Sequence, residues 1–189
     1  MNELKSIAVF CGSSEGIHKG VVEDAKILGE ILAKEQIILV YGAGKIGVMG
    51  VIVEACLNQG GKVVGVIPEF LKVKEVAHFG LTELITTNNM HQRKMKMHDL
   101  SDGFIALAGG FGTLEELFEI ITWAQLGLHQ KPIGLLNTNG FYDHLIKMLE
   151  YMVDKGFLKP DHLNLLIIED DTSDLLQKMY DYKPIPMFK

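Results

Sequence analysis

Short apolar runs that alternate with segments of helical period constrain this chain more than any other feature. Residues 6–10, 37–41, 62–67, 83–87, 104–107, 132–136 and 163–168 read as strands. The run Ile37-Ile38-Leu39-Val40-Tyr41 is apolar throughout, without the alternation of a half-exposed strand. Strands of that kind are buried on both faces, as in parallel sheets. Between the first two runs, Val21, Val22, Ala25, Leu28, Gly29 and Leu32 form an apolar stripe, which predicts a helix over residues 18–34. Further helices are expected over residues 48–57, 90–98, 141–153 and 174–182, and a long one after residue 112. Residues 69–81 read as a surface loop. Strict alternation of strand and helix predicts an α/β fold: a doubly wound, Rossmann-like parallel sheet of about seven strands in a single domain spanning residues 1–189.

Ligands in such sheets bind at the carboxyl ends of the strands. The most informative strand end is Ala108-Gly109-Gly110-Phe111-Gly112-Thr113-Leu114-Glu115-Glu116, which follows the run Phe104 to Leu107 and opens a long apolar helix. Three glycines within four residues allow a sharp bend and a close approach by a ligand. Thr113 suits the helix N-cap, and Glu115 and Glu116 are expected in the first turn. A helix start with free N–H groups favours a phosphate or carboxylate. An anion cradle beside carboxylates suggests chemistry on a phosphorylated ligand. A plain tight turn with two acids near a helix dipole is the simpler alternative.

A second glycine loop, Gly42-Ala43-Gly44-Lys45-Ile46-Gly47, follows the second strand. It has the form G-x-G-x-x-G, but the dinucleotide fingerprint belongs to the first strand–helix turn. It is not a Walker A loop, because Ile46 follows Lys45 where Ser or Thr is required. We read it as opening onto the same crevice, with Gly42 and Gly44 as candidate ligand contacts together with Ser13 and Gly109. Gly47 is equally well explained by helix-on-strand packing. The segment Met90-His91-Gln92-Arg93-Lys94-Met95-Lys96-Met97-His98 is cationic within an acidic chain, and Arg93 and Lys96 share a helix face. No acid or cysteine stands at ligand spacing from His91 or His98, so neither a metal nor another cofactor is expected.

Composition narrows the function further. A net charge of −6 argues against general nucleic-acid binding. No apolar run reaches the roughly 18 residues of a membrane span. The N-terminal residues lack a secretion signal, and Cys11 and Cys56 form no cluster, which together predict a cytoplasmic protein with reduced thiols. The helix containing Leu117, Phe118, Ile120, Ile121, Trp123, Ala124 and Leu126 is apolar on more faces than one sheet buries, which predicts a second subunit against it. Thr122, its polar exception, has a back-bond to the preceding turn as its simplest role.

The stretch Gly109 to Glu116 resembles the P-G-G-x-G-T-x-x-E signature of the LONELY GUY (LOG) family, and Met90-His91-Gln92-Arg93-Lys94 resembles its M-H-x-R-K motif. Cys11-Gly12-Ser13-Ser14, Tyr41-Gly42-Ala43-Gly44 and Gly47-Val48-Met49-Gly50 are similar to further family stretches. The likeness spans residues 7–130. Ala108 replaces the signature proline, which removes a rigid turn but no ligand group. Ala43 replaces a glycine, which narrows backbone approach in the second loop.

The resemblance implies a homodimeric cytokinin riboside 5′-monophosphate phosphoribohydrolase, which cleaves the N-glycosidic bond of an adenine-type nucleotide to free base and ribose 5-phosphate. It implies that Arg93 and Glu116 carry the chemistry. It implies substrate contacts at Glu75, Lys94, Gly110, Phe111, Gly112, Thr113, Leu114, Glu115 and Thr122. Glycosidic cleavage develops positive charge on the ribose, which a carboxylate stabilises, while an arginine clamps phosphate or assists the departing base. Members of this family were once labelled lysine decarboxylases, but no lysine here has the partners of a pyridoxal site. A non-catalytic nucleotide-binding module is the alternative from another class, and the Arg93–Glu116 pair discriminates, since binding alone does not need it. A single-stranded-DNA-binding domain is disfavoured by the charge.

Overall fold

The computed structural model describes residues 3–72, 78 and 80–185. Seven parallel strands form one sheet: β1 (Ser6–Phe10), β2 (Ile38–Tyr41), β3 (Val63–Pro68), β4 (Glu83–Thr87), β5 (Gly103–Ala106), β6 (Ile133–Leu136) and β7 (Leu166–Glu169). Their order is β4-β3-β2-β1-β5-β6-β7. The helices are α1 (Lys19–Lys34), α2 (Gly47–Asn58), α3 (Glu69–Lys72), α4 (Met90–Asp99), α5 (Phe111–Gln125), α6 (Asp143–Asp154) and α7 (Thr172–Asp181). The expected doubly wound α/β sheet is the one observed.

Alternate residues of the central strands feed two cores. Ile7, Val9, Leu39, Tyr41, Ile105 and Leu107 pack with α1, α2 and α7 on one face. Ala8, Phe10, Val40, Phe104 and Ala106 pack with Met97 of α4 and Leu117, Ile120 and Ala124 of α5 on the other. Both faces are therefore covered, which is why β1 and β5 read as continuous apolar runs. Strand order reverses between β1 and β5, whose register pairs Phe10 with Ala106. The chain leaves β1 toward α1 on one face and β5 toward α5 on the other, so a crevice opens where they part.

Several boundaries differ from the sequence expectation. Residues 160–165 form a 3-10 helix with Pro160 at its start, so the last strand begins at Leu166 instead of residue 163. The sequence places the last helix from residue 174, but Asp171 caps it earlier, its side chain accepting from the amides of Ser173 (2.8 Å) and Asp174 (3.0 Å). A short helix, α3, occupies the start of the expected loop. The described residues include no helix long and apolar enough to cross a membrane.

Candidate active site

Helix α5 begins one residue after the second glycine of its loop. Gly110 is the N-cap, its carbonyl accepting from the Leu114 amide at 3.1 Å, and no side chain caps this end. The expected N-cap, Thr113, is instead the third helical residue and is buried. Its hydroxyl turns back on the loop: a Cβ at Gly109 would fall 2.1 Å from Thr113 Oγ1. Glu115 and Glu116 consequently stand in the second turn, not the first. Gly110 and Gly112 differ from Gly109, because a Cβ at either would meet nothing within 4 Å. Protein packing does not require glycine there. What the missing side chains leave is open approach to an uncapped helix start, an arrangement that suits an anion.

The neighbouring loops are stitched to this one. The Gly12 amide donates to the Ala108 carbonyl (3.1 Å), and the Met49 amide donates to the Gly12 carbonyl (3.3 Å). Gly47 has φ +64°, and a Cβ on it would lie 2.2 Å from the Ser13 carbonyl carbon. Its glycine therefore serves backbone packing of α2 against the β1 loop. Gly44 is buried within the second loop, and Ala43 beside it holds φ +66°. Between the three loops and α4 lies a cleft of about 270 Å³. Ser13, Gly42, Gly110, Phe111, Gly112, Thr113, Glu115, Arg93 and Glu116 all line it, joined by Cys11, Met49 and Met90.

Arg93 enters the cleft from α4, whose start is fixed by Asn89. The Asn89 side chain accepts from the Gln92 amide (2.9 Å), and Gln92 Oε1 accepts from the Asn88 amide (3.0 Å). Arg93 Nη2 lies 3.5 Å from Glu116 Oε1, and each side chain is only 12% exposed. The guanidinium passes directly over Gly42, where a Cβ would come within 2.0 Å of Nη2. Gly42 thus makes room for Arg93. Nη1 donates weakly to Met90 Sδ at 3.7 Å, and the buried Nε has no partner. The guanidinium is held by one carboxylate and keeps donors unspent.

Burial raises the Glu116 pKa, and the Glu115 and Glu119 charges add to the rise; Arg93 and Lys94 oppose it, leaving a value of about 7. Both protonation states are therefore populated near neutrality, as a general acid or base requires. Burial, then the Glu116 charge, pushes the Cys11 thiol far up, so it is no thiolate nucleophile.

The structure does not bring every predicted residue to the cleft. Lys94 is turned to Glu115 and to Glu119 Oε1 (3.0 Å). Leu114 packs against the core on the α5 side of the sheet. Thr122 lies nine residues beyond Thr113, roughly 13 Å along the helix, and its hydroxyl donates to the Phe118 carbonyl at 2.6 Å. It borders a separate apolar groove of about 230 Å³ with Phe118, Ile121, Leu149, Met152 and Leu158. Glu75 lies outside the described residues. Sequence reasoning missed Glu119 as the second partner of Lys94; its place four residues after Glu115 was the available signal. It also missed Met49 and Met90, which nothing marks apart from core methionines.

Fold and site together define a parallel α/β protein whose switch-point crevice sets an uncapped helix start beside a buried arginine–glutamate pair. The model of a family described as "Possible lysine decarboxylase" matches residues 49–179. Cytokinin riboside 5′-monophosphate phosphoribohydrolase LOG1 of Arabidopsis thaliana is 46% identical over 97% of this chain and 86% of its own length. LOG5 of the same plant is 44% identical over 97% of this chain and 81% of its own length. The chain belongs to the LOG family. Among solved structures, the molybdenum cofactor binding protein of Rippkaea orientalis has the same fold, with TM-score 0.70, 22% identity and coverage of 95% of this chain and 97% of that one. The fold extends to DNA processing protein A of Streptococcus pneumoniae, with TM-score 0.58, 15% identity and coverage of 92% and 61%.

The decarboxylase description finds little support in Lys94, which stands beside the site. Burial acts to lower the Lys94 pKa, but its bonds to Glu115 and Glu119 outweigh that and hold it above the ordinary value. An amine that forms a Schiff base needs the opposite shift.

Proposed function

We propose that this chain is a nucleoside 5′-monophosphate phosphoribohydrolase, hydrolysing the N-glycosidic bond of an adenine-type nucleotide, either AMP or one carrying an N6 substituent. The observation that carries this reading is the Arg93–Glu116 pair, with Glu116 held near pKa 7 beside the open start of α5. The 5′-phosphate sits at the Gly110–Thr113 helix start. Glu116, five residues along α5 from Phe111, stands roughly 8 Å further on, on the scale of a ribose phosphate.

In the proposed reaction the C1′–N bond breaks and the base leaves with the electron pair. The sugar passes through an oxocarbenium-like state that the Glu116 carboxylate stabilises. Glu116 takes a proton from the attacking water as its oxygen bonds to C1′, and that proton passes on to the departing base, which restores the carboxylate. Arg93, with Nε and Nη1 lacking an anionic partner, clamps the phosphate or assists the departing base. The products are free base and ribose 5-phosphate. No step requires a metal or an organic cofactor.

The test compares AMP and N6-isopentenyl-AMP with their nucleosides, following free base by chromatography. Nucleotides are expected to turn over and nucleosides to be poor substrates, because phosphate binding energy positions the sugar. Similar kcat/KM for nucleoside and nucleotide would remove the phosphate from the scheme, and no base release from either nucleotide would remove the activity.

We infer also a homodimer built on the outer face of α5 and on α6. Phe118, Ile121, Leu149 and Met152 form an apolar groove there, and Leu126, Leu128, Met148, Tyr151 and Phe157 are exposed on or near these helices. Trp123, by contrast, is engaged within its own chain, edge-on to His98 at 5.2 Å between ring centres.

A further inference from the structure

Two ion-pair rungs join α4 to α5, side by side. Arg93 pairs with Glu116, and the next residue on α4, Lys94, bridges Glu115 and Glu119 on α5. The Lys94 side chain is only 9% exposed, so its ammonium has exchanged most of its water for two carboxylates. Glu115 and Glu119 are four apart on one helix face, where like charges repel unless a cation lies between them. Glu116 is adjacent to one and three residues from the other. The same lysine therefore ties α4 to α5 within one residue of each member of the Arg93–Glu116 pair.

We infer that Glu119, acting through Lys94, is a positioning residue: the Glu115–Lys94–Glu119 bridge fixes α4 against α5 and thereby sets the approach of Arg93 to Glu116. This inference rests on the proposed hydrolytic role of that pair, but its structural part is tested without turnover. A half-buried ammonium that loses one of two carboxylates is less well compensated and moves toward water or toward the remaining partner. Either movement carries Arg93 with it, because the two residues are consecutive on a single helix turn. Arg93 has little else to hold it: one carboxylate at 3.5 Å, a thioether, and an Nε with no partner.

The bridge also tunes charge at Glu116. The groups facing that carboxyl are Arg93 and Lys94 on α4, Glu115 and Glu119 on α5, and the protonated Cys11 thiol at the end of β1. With two carboxylates and one ammonium, the bridge is net negative. Removing Glu119 makes it neutral and favours ionised Glu116. Removing Lys94 makes it doubly negative and favours the protonated acid.

The experiment uses the full chain with 13C-labelled glutamate carboxyls. The Glu116 resonance is assigned by its absence in Glu116→Gln and titrated in wild type, Glu119→Gln, Lys94→Met and Lys94→Arg. Lys94→Met should move the Glu116 midpoint up by about 0.5–1 unit, because the lost ammonium and the retreat of Arg93 act in the same direction. In Glu119→Gln the lost negative charge lowers the midpoint while the retreat of Arg93 raises it, so the midpoint should stay above the fall of about 0.5–1 unit that charge alone would give. Lys94→Arg, which keeps the charge, should stay near wild type. In the same variants, AMP hydrolysis should lose kcat by about tenfold in Glu119→Gln and Lys94→Met with KM nearly unchanged, within the cost of ångström-scale misplacement. An unmoved midpoint in Lys94→Met, or the full fall expected from charge alone in Glu119→Gln, would overturn the inference. So would a Lys94→Met effect confined to KM, which would make Lys94 a substrate contact. If wild type releases no base from nucleotides, the proposed reaction fails while the titration still decides the bridge.

Discussion

The guanidinium of Arg93 lies 3.5 Å from the Glu116 carboxylate with both side chains almost wholly withdrawn from water. The distance is that of an ion pair rather than a tight hydrogen bond. A pair intended for stability alone would close to a bidentate contact. Here burial raises the carboxylate pKa to about 7 and the guanidinium keeps free donors, which is the state a reacting ligand can use.

Replacing Glu116 by Gln preserves shape and removes the base. We expect Glu116→Gln to keep its affinity for AMP, since the phosphate cradle is largely backbone, and to lose roughly 10²–10⁴-fold in hydrolysis. Calorimetry paired with detection of free base checks both halves. Hydrolysis near the wild-type rate would reduce Glu116 to a structural acid and turn attention to Glu115.

Because Glu116 acts as a base in this scheme, its ionised form is the active one. With its pKa raised to about 7, kcat/KM should climb as pH rises through that value and level off above it. At the ordinary carboxylate pKa the limb would lie more than two units lower. A rate that is flat between pH 5.5 and 8 would contradict this assignment.

Gly42 supplies a test that leaves every polar group in place. A methyl at this position would stand 2.0 Å from Arg93 Nη2, so the guanidinium must move. Gly42→Ala should fold, as the neighbouring residues of β2 are undisturbed, and should lose about 10- to 100-fold in kcat. Thermal melting separates a folded, slow enzyme from an unfolded one.

Away from the cleft, His129 is buried and His98 half-buried against Phe104, and desolvation lowers both pKa values below 6.5. The unfolded chain then takes up protons before the folded one as pH falls. Stability contributed by these neutral imidazoles is present in full above pH 6.5 and declines progressively below it, toward the depressed folded-state values. His98→Phe keeps a ring against Phe104 and removes one titration. Its urea midpoint should fall less than that of wild type between pH 7.5 and pH 5.5; an equal fall would refute the role of His98.

The outer face of α5 predicts assembly. A homodimer seam there should bury on the order of 1,200–2,000 Å², and light scattering at micromolar concentration should give twice the chain mass. Ile121→Arg, which puts a charge into the apolar groove, should yield monomers. A wild-type monomer at that concentration would count against the interface.

The sequence determined the strands, their parallel pairing and the crevice edge, because buried parallel strands leave continuous apolar runs and helices leave a 3.6-residue period. It also marked the glycines at 109, 110 and 112 by type and spacing, since close backbone approach is written there, and Arg93 and Glu116 through the resemblance to the LOG family. Tertiary structure decided what those residues do to one another. Thr113 suits an N-cap by type, yet burial against Gly109 moves it inside the helix. Gly42 fits a ligand loop by spacing, but only the fold lays the Arg93 guanidinium across it. Lys94 reads as one more cation in a basic run until α5 sets Glu115 and Glu119 around it. The last two relations join residues 21 to 51 positions apart. A local pattern carries no record of them, because distance, desolvation and the pKa of Glu116 arise only when separate helices are packed onto one sheet.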